Sequence, residues 1–223
     1  MAENKQVNRQ ILGRSKTVRE LLSGMKYTID YYQREFKWGE KQIKELINDL
    51  VDAFQEHYEE QHVPEEVANY GHYFLGSIII SMKSGQSFII DGQQRLTSLT
   101  LLLMYLNNLQ KSKGKIEVPI HELIYSEKFR KKSFNLNIEE RTRFMEQLFD
   151  NGTYDNTNDS ESIQNIAKGY EFINEAYPDK LKEYPLPFFI DWVIENVILV
   201  EITAFSDQDA YRVFETMNEG GFH

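Results

Sequence analysis

The clearest pattern in the chain is an apolar run, a turn and a long apolar helix, which follow one another over residues 87–110. Residues 87–90 are a short apolar run with β-branched residues, typical of a buried strand. Asp91-Gly92 is a turn pair, because Asp tolerates turn geometry and Gly adopts positive φ. From Gln93 onward strong helix formers predominate, and leucines recur at helical spacing at positions 96, 99, 102, 103, 106 and 109. The pattern predicts a central helix that is buried on most sides.

Apolar spacing also predicts three elements near the start of the chain. A short helix over residues 17–24 has Thr17 as its N-cap and Glu20 at the capping-box position. Residues 27–29 suit a strand. The range 40–60 is predicted to be an amphipathic helix, because its apolar residues follow a regular 3-4-3-4 spacing.

A β-hairpin is predicted just before the central helix. Its arms are the apolar runs at 73–82 and 87–90, on either side of a short turn that contains Gly85. Gly76 lies inside the first arm, which indicates a bulge or a close backbone approach. The second arm leads directly into Asp91.

The second half of the chain predicts short strands followed mainly by helices. Strand-like alternation appears within residues 116–136. Asn137 and Glu140 form an N-terminal capping pattern for a helix through Leu148. The remaining predicted elements are an amphipathic helix at 162–177, a second helix after two prolines at 188–197, a strand at 198–203, and a last helix that a capping box opens at 206.

Composition and charge limit the class of protein. With 41% hydrophobic and 27% charged residues, the 223-residue chain is typical of a globular protein with one large or two small domains. The absence of cysteine excludes disulfides, a thiol nucleophile and a thiolate metal site. There is no signal-peptide core and no apolar run of membrane-spanning length, so we expect a cytoplasmic protein without a membrane partner. Because the net charge is −10, any contact with DNA must use a local basic patch.

The polar residues of the central stretch gather at the start of its helix, at Asp91, Gln93, Gln94 and Arg95. A helix N-terminus presents unpaired N–H groups and about half a positive charge, which favours an anion. Arg95 adds a planar fork that matches phosphate, and Gly92 would let a phosphate approach the backbone. A structural alternative stays open, in which Asp91 is only the N-cap and Arg95 only its partner.

Two other clusters are candidates for binding. Aromatic and cationic residues mix in YTIDYYQREFKW, residues 27–38, which suits stacking on a planar ligand and pairing with phosphate. The alternative is that these aromatic residues fill the edge of the core while Arg34 pairs with a carboxylate. The densest basic cluster is the best candidate for contact with a DNA backbone, although a solvated loop has the same composition. Its members are Lys128, Arg130, Lys131 and Lys132.

Several catalytic motifs are absent from the sequence. It has no P-loop, no dinucleotide-binding glycine motif and no nucleophile elbow. The five histidines have no metal-ligand spacing, so the sequence identifies no metal ligands and does not support a His-Asn-His nuclease.

The motif DGQQRLTSL at 91–99 resembles the signature of the N-terminal domain of GmrSD-type, modification-dependent restriction enzymes, a family also called ParB/sulfiredoxin-like. Further blocks resemble the family in the same order. They are YYQREFKW at 31–38, followed by a helix, YFLGSIII at 73–80, and VEITAFSDQDAYRVFETMNEGG at 200–221. The resemblance covers roughly residues 17–221.

This resemblance implies an α+β fold. The expected architecture is ParB/sulfiredoxin-like, a small mixed sheet with a β-hairpin packed on a central buried helix, followed by a mainly helical part. We expect a flexible N-terminus at 1–16 and a single nucleotide-binding domain at 17–223, with a core at about 17–136 and a helical part at about 137–223. The closing block looks like a helix end that leads into further chain, so we expect an N-terminal fragment of a longer protein.

The resemblance also implies a function. In such family members this domain binds and often hydrolyses a nucleoside triphosphate, while a separate C-terminal nuclease domain cuts modified phage DNA. We therefore expect a nucleoside triphosphatase with Mg²⁺, acting as the sensor or regulatory domain of a bacterial anti-phage restriction system. Its expected partners are nucleotide, phage or modified DNA, and a C-terminal nuclease domain or partner subunit, and a homodimer is left open.

Alternative functions come from the same residues. One is a non-hydrolysing DNA-binding module that reads modified bases with an aromatic pocket of Tyr31, Tyr32, Phe36 and Trp38. A less favoured one is a nuclease in its own right. The sequence does not identify the nucleotide, the DNA modification, or whether the nuclease belongs to the same chain.

The family motif implies roles for individual residues. Asp91 would orient water or a magnesium-bound ligand, and Arg95 would stabilise the transferring charge, so these are the predicted catalytic residues. Because two unpaired guanidinium groups repel unless an anion lies between them, we predict that Arg34 and Arg95 point into one cleft. The predicted nucleotide-binding residues are Tyr32, Gln33, Arg34, Gly92, Gln93, Gln94, Arg95 and Thr97.

Overall fold

Helices and strands are mixed along the chain in a computed structural model, which describes residues 11–29, 35–128, 131–154 and 159–219. The described strands are β1 (Leu12–Thr17), β2 (Tyr27–Ile29), β3 (Tyr73–Lys83), β4 (Gln86–Asp91), β5 (Tyr125–Lys128), β6 (Lys131–Phe134), β7 (Leu136–Asn137) and β8 (Val197–Ala204). The described α-helices are α1 (Val18–Leu22), α2 (Glu40–Gln55), α3 (Gln93–Ser112), α4 (Thr142–Asn151), α5 (Glu161–Ala176), α6 (Leu186–Asn196) and α7 (Asp207–Glu219).

Within the described residues, six of the strands form one mixed sheet in the order β1-β8-β3-β4-β2-β7. The predicted hairpin is the antiparallel pair of β3 and β4. Strand β8 lies between β1 and β3, antiparallel to the first and parallel to the second. Strand β2 runs parallel to both β4 and β7, and β5 and β6 form a separate hairpin. This combination of helices with a mixed sheet confirms the predicted α+β class.

Helix α3 is the buried centre of the fold, as its leucine spacing predicts. Leu99, Leu102 and Leu106 are completely buried. They belong to the main hydrophobic core, which also takes in apolar side chains of α2, α5 and α6 and one face of the sheet. Aromatic rings join these helices, since Phe54 of α2 meets Phe189 of α6 edge to face, with centroids 5.3 Å apart. Within the described ranges, no helix has both the length and the apolar character needed to cross a membrane.

The opposite face of the sheet carries a second, smaller core under α7. Ile79 and Ile90 of the hairpin are buried there with Ala210 of α7. The start of α7 is held on the hairpin, because the Ser81 hydroxyl donates to the carboxylate of Asp207 at 2.7 Å. Helix α7 is therefore fixed on the hairpin, with its first turn at Ser81.

Local sequence signals account for several features of the fold. The capping box of α1 is present, with Thr17 Oγ1 accepting from the Glu20 amide at 3.1 Å and Glu20 Oε2 accepting from the Thr17 amide at 2.9 Å. The bulge predicted in the first arm of the hairpin is observed as a register shift between Phe74 and Gly76. The capping residue predicted for the last helix is also confirmed, since Ser206 Oγ accepts from the Asp209 amide at 3.1 Å.

Other predictions need correction. Residues 12–16, predicted to belong to a flexible N-terminus, lie in strand β1. Although this strand has little apolar character, its backbone pairs with β8. Helix α2 ends at Gln55 rather than at residue 60. The helix predicted from residue 137 begins at Thr142, because the chain at 136–137 is paired with β2 instead. The mainly helical part also supplies β8, so both parts of the chain build one sheet.

Candidate functional site

The predicted site begins where β4 ends and α3 starts. Asp91 is the last residue of β4, and the N-cap of α3 is Gly92, with φ +90°. Only glycine fits here without strain, because a Cβ on Gly92 would lie 2.5 Å from Cγ2 of Ile78. Asp91 is thus not the N-cap that the structural alternative assumes, and the hydrogen bond described for Arg95 goes to the carbonyl oxygen of Ser77 and not to Asp91.

A pocket of about 290 Å³ opens at this junction. Since the N-cap is a glycine, no capping side chain covers the first N–H groups of the 20-residue helix α3. These groups and the positive end of the helix dipole favour an anion at the pocket floor. The lining residues are Trp38, Ile90, Asp91, Gly92, Gln93, Gln94, Arg95 and Phe214.

The side chain of Arg95 is fixed at one edge of this pocket. Its Nη1 donates to the carbonyl oxygen of Ser77 at 2.6 Å. The guanidinium lies against the bulge of β3, where a Cβ on Gly76 would be 3.1 Å from Arg95 Cζ. Because a guanidinium has five N–H donors, one hydrogen bond to Ser77 leaves others for an anion. The bulge and the absence of a side chain at residue 76 thus position Arg95.

The side-chain amide of Gln94 joins the block at 91–99 to the block at 31–38. Its Oε1 accepts from the backbone amides of Lys37 at 2.8 Å and Trp38 at 3.3 Å. Its Nε2 donates to the carbonyl oxygen of Glu35 at 2.8 Å. These contacts occupy most of the hydrogen-bonding capacity of the amide. Gln94, predicted as a phosphate ligand, therefore holds the segment 35–38 beside the pocket.

The other predicted nucleotide-binding residues differ in their placement. Gln93 lines the pocket, whereas Thr97 is only 4% exposed inside the protein and does not line it. Tyr32, Gln33 and Arg34 lie outside the described residues. The predicted approach of Arg34 to Arg95 in one cleft therefore stays a prediction.

The aromatic block does not form the predicted base-reading pocket as a unit. Phe36 is 1% exposed and packs in the main core, so close to α5 that a Cβ on Gly169 would lie 3.1 Å from its ring. Trp38, in contrast, lines the pocket at the start of α3. Tyr31 lies outside the described residues, as does Tyr32. The structure therefore divides this block between core and pocket.

The basic cluster predicted to contact DNA lies at the β5–β6 hairpin. Lys132 Nζ is 2.6 Å from a carboxylate oxygen of Asp150 and lies over the ring of Phe149, 5.3 Å from its centroid. Lys132 is therefore paired within the protein, and its contact with DNA stays a prediction. Lys128 and Lys131 contribute backbone to the hairpin strands, and Arg130 lies outside the described residues.

The structure adds to the pocket a residue from a distant part of the chain, which the sequence prediction lacks. Phe214 of α7 lines the pocket beside residues 90–95, although it lies about 120 positions later in the chain. Nothing in its spacing indicated the pocket, because that depends on where α7 packs on the sheet.

Carboxylates are sparse at this pocket. Asp91 is the acidic residue among its lining side chains. In the described part of the chain, no three or more His, Asp or Glu side chains cluster in a way that could hold a metal ion. The pocket thus offers one carboxylate, one guanidinium and the N-terminal amides of α3.

Comparison with known proteins adds a family to this geometry. A family model described as GmrSD restriction endonuclease, N-terminal domain, matches residues 18–223. The match covers all blocks that carry the sequence resemblance, from the edge of β1 to the end of α7. No curated protein matches the chain.

Proposed function

The chain belongs to the family of GmrSD restriction endonuclease N-terminal domains, and from this premise we propose that it binds and hydrolyses a nucleoside triphosphate to regulate a restriction nuclease. The nuclease is a C-terminal domain or a partner subunit, and its substrate is modified phage DNA. The place of action is the cytoplasm, where invading DNA is met.

One observation carries this proposal, namely the open start of α3 within a pocket. Gly92 takes the N-cap position without a side chain, and the guanidinium of Arg95 stands at the edge of the same pocket. Helix N-termini with glycine and a nearby arginine are suited to phosphate, because N–H groups and the guanidinium both donate to its oxygens.

The residues present fit a magnesium-bound nucleotide. Magnesium is usually held by one or two protein carboxylates together with substrate phosphates and water. Asp91 supplies one carboxylate in the pocket, and a larger ligand cluster is not needed. When bound, the ion would neutralise charge on the phosphates.

Hydrolysis requires a positioned water and stabilisation of the transferring phosphoryl group. Asp91 orients the attacking water, or it would hold the hydrated ion beside the phosphates. Arg95 and the first amides of α3 donate to the phosphoryl oxygens as charge moves toward the leaving group. Because Ser77 and Gly76 hold Arg95 in place, its guanidinium needs little reorganisation during the reaction.

A phosphate-release assay with each of the four nucleoside triphosphates and Mg²⁺, with and without DNA, tests the proposal. We expect slow, magnesium-dependent release that Arg95→Ala abolishes. Arg14→Ala is the matched control, because Arg14 is an exposed arginine on β1, at the far side of the sheet. Melting curves of both variants show whether the fold survives. Equal phosphate release by wild type and a folded Arg95→Ala variant would refute the assignment.

A further inference from the structure

The pocket at the start of α3 has two aromatic side chains in its lining, and they come from opposite faces of the sheet. Trp38 packs partly against the main core, and Phe214 packs partly against the smaller core under α7. The pocket therefore lies at the rim of the sheet, where both cores reach the surface. Neither ring is fully buried, so each keeps surface available to a ligand.

The segments that carry the two aromatic side chains are held by contacts with the rest of the protein. The backbone amide of Trp38 donates to Gln94 Oε1 at 3.3 Å, which keeps this residue beside the start of α3. Phe214 lies one helical turn after Ala210, which is completely buried against the sheet. The first turn of α7 is tied to the hairpin by the ion pair between Lys83 and Asp207, at 2.6 Å. The backbone segments that carry the two rings are thus held in place without a ligand.

The chemistry of the pocket changes from one part of its lining to another. Arg95 and the first amides of α3 suit a negatively charged group, while Trp38, Phe214 and Ile90 offer apolar surface. A ligand that fits both parts has an anionic end and a planar, largely apolar end. A nucleotide has this composition, whereas inorganic phosphate or polyphosphate has only the first part.

We propose that Phe214 and Trp38 hold the nucleobase, so that α7 completes the nucleotide site. This inference rests on the proposed function and adds a base-contacting residue to it. Stacking on an aromatic ring does not depend on base identity, because every base has a π face. Phe214 therefore contributes to the binding of all four nucleoside triphosphates and not to the binding of a phosphate chain alone.

The test compares dissociation constants for the four nucleoside triphosphates and for inorganic tripolyphosphate, each with Mg²⁺, measured by calorimetry on the full chain. The variants are Phe214→Ala and Phe214→Leu, of which the second keeps apolar packing on the small core but has no ring. The control is Met217→Ala, since Met217 is on the same helix, is 44% exposed and does not line the pocket.

We expect both Phe214 variants to bind every nucleoside triphosphate roughly tenfold more weakly, which corresponds to about 1.4 kcal/mol. Tripolyphosphate should bind the variants and the wild type equally well, and Met217→Ala should change neither. Unchanged nucleotide binding by both Phe214 variants would overturn the inference, and so would an equal loss of tripolyphosphate binding. If the wild type binds neither ligand, the proposed function itself is wrong, which is a separate result.

Discussion

Replacing Gly92 by alanine should destabilise the domain through two separate costs. The first is conformational, because Gly92 has φ +90° and an L-residue in the left-handed region costs roughly 1–2 kcal/mol. The second is steric, because the new Cβ would lie 2.5 Å from Ile78 Cγ2 and 3.2 Å from its Cα. Strand β3 lies inside the sheet, so the backbone of Ile78 cannot move freely, and overpacking of this kind costs about 1–3 kcal/mol. Together we expect a loss of about 2–5 kcal/mol in the free energy of unfolding.

Gly114→Ala is the matched control for this variant. Gly114 has φ +72°, but no atom lies within 4 Å of a Cβ built on it, so only the conformational cost remains. Urea denaturation of both variants separates the two costs, since their difference measures the contact with Ile78. In an Ile78→Ala background, which removes Cγ2, the added cost of Gly92→Ala should fall toward that of Gly114→Ala. Equal losses for the two glycine variants in the otherwise wild-type chain would refute the steric argument.

Three further outcomes are expected. Gln94→Met removes hydrogen bonds to the segment 35–38, so it should cost about 1–3 kcal/mol and speed hydrogen exchange at the Trp38 amide; unchanged exchange would show that Gln94 does not hold the segment. Burial raises the pKa of Asp191 from 3.8 to about 6, so its ionisation opposes folding as pH rises through that range. The stability of Asp191→Asn relative to wild type should therefore increase from pH 4 to pH 6 in chemical denaturation, and a constant difference would contradict this. Lys132→Ala should lower the free energy of unfolding by about 1 kcal/mol. Asp150→Asn should cost less stability in the Lys132→Ala variant than in the wild type, and equal costs in the two backgrounds would show that the two residues do not interact.

The sequence alone predicted features that depend on residues close together in the chain. Leucines at helical spacing predicted α3, since a helix that is apolar on most sides must be buried. The capping box at Thr17 and Glu20 and the bulge at Gly76 also depend on neighbouring residues. Positions 91–95 were correctly placed at a strand-to-helix junction for the same reason.

Other features depend on segments that are far apart in the sequence. The strand-forming potential of residues 12–17 is weak, and they become β1 only because β8 offers an edge with which to pair. The side-chain amide of Gln94, predicted as a phosphate ligand, also holds the chain at 35–38, which lies about 60 positions earlier in the sequence. Phe214 joins the pocket because α7 crosses the face of the sheet that the main core leaves uncovered. Local patterns of side chains thus determined which elements form and where the candidate site lies. The tertiary structure decided which distant groups complete the pocket, because such contacts depend on the path of the whole chain.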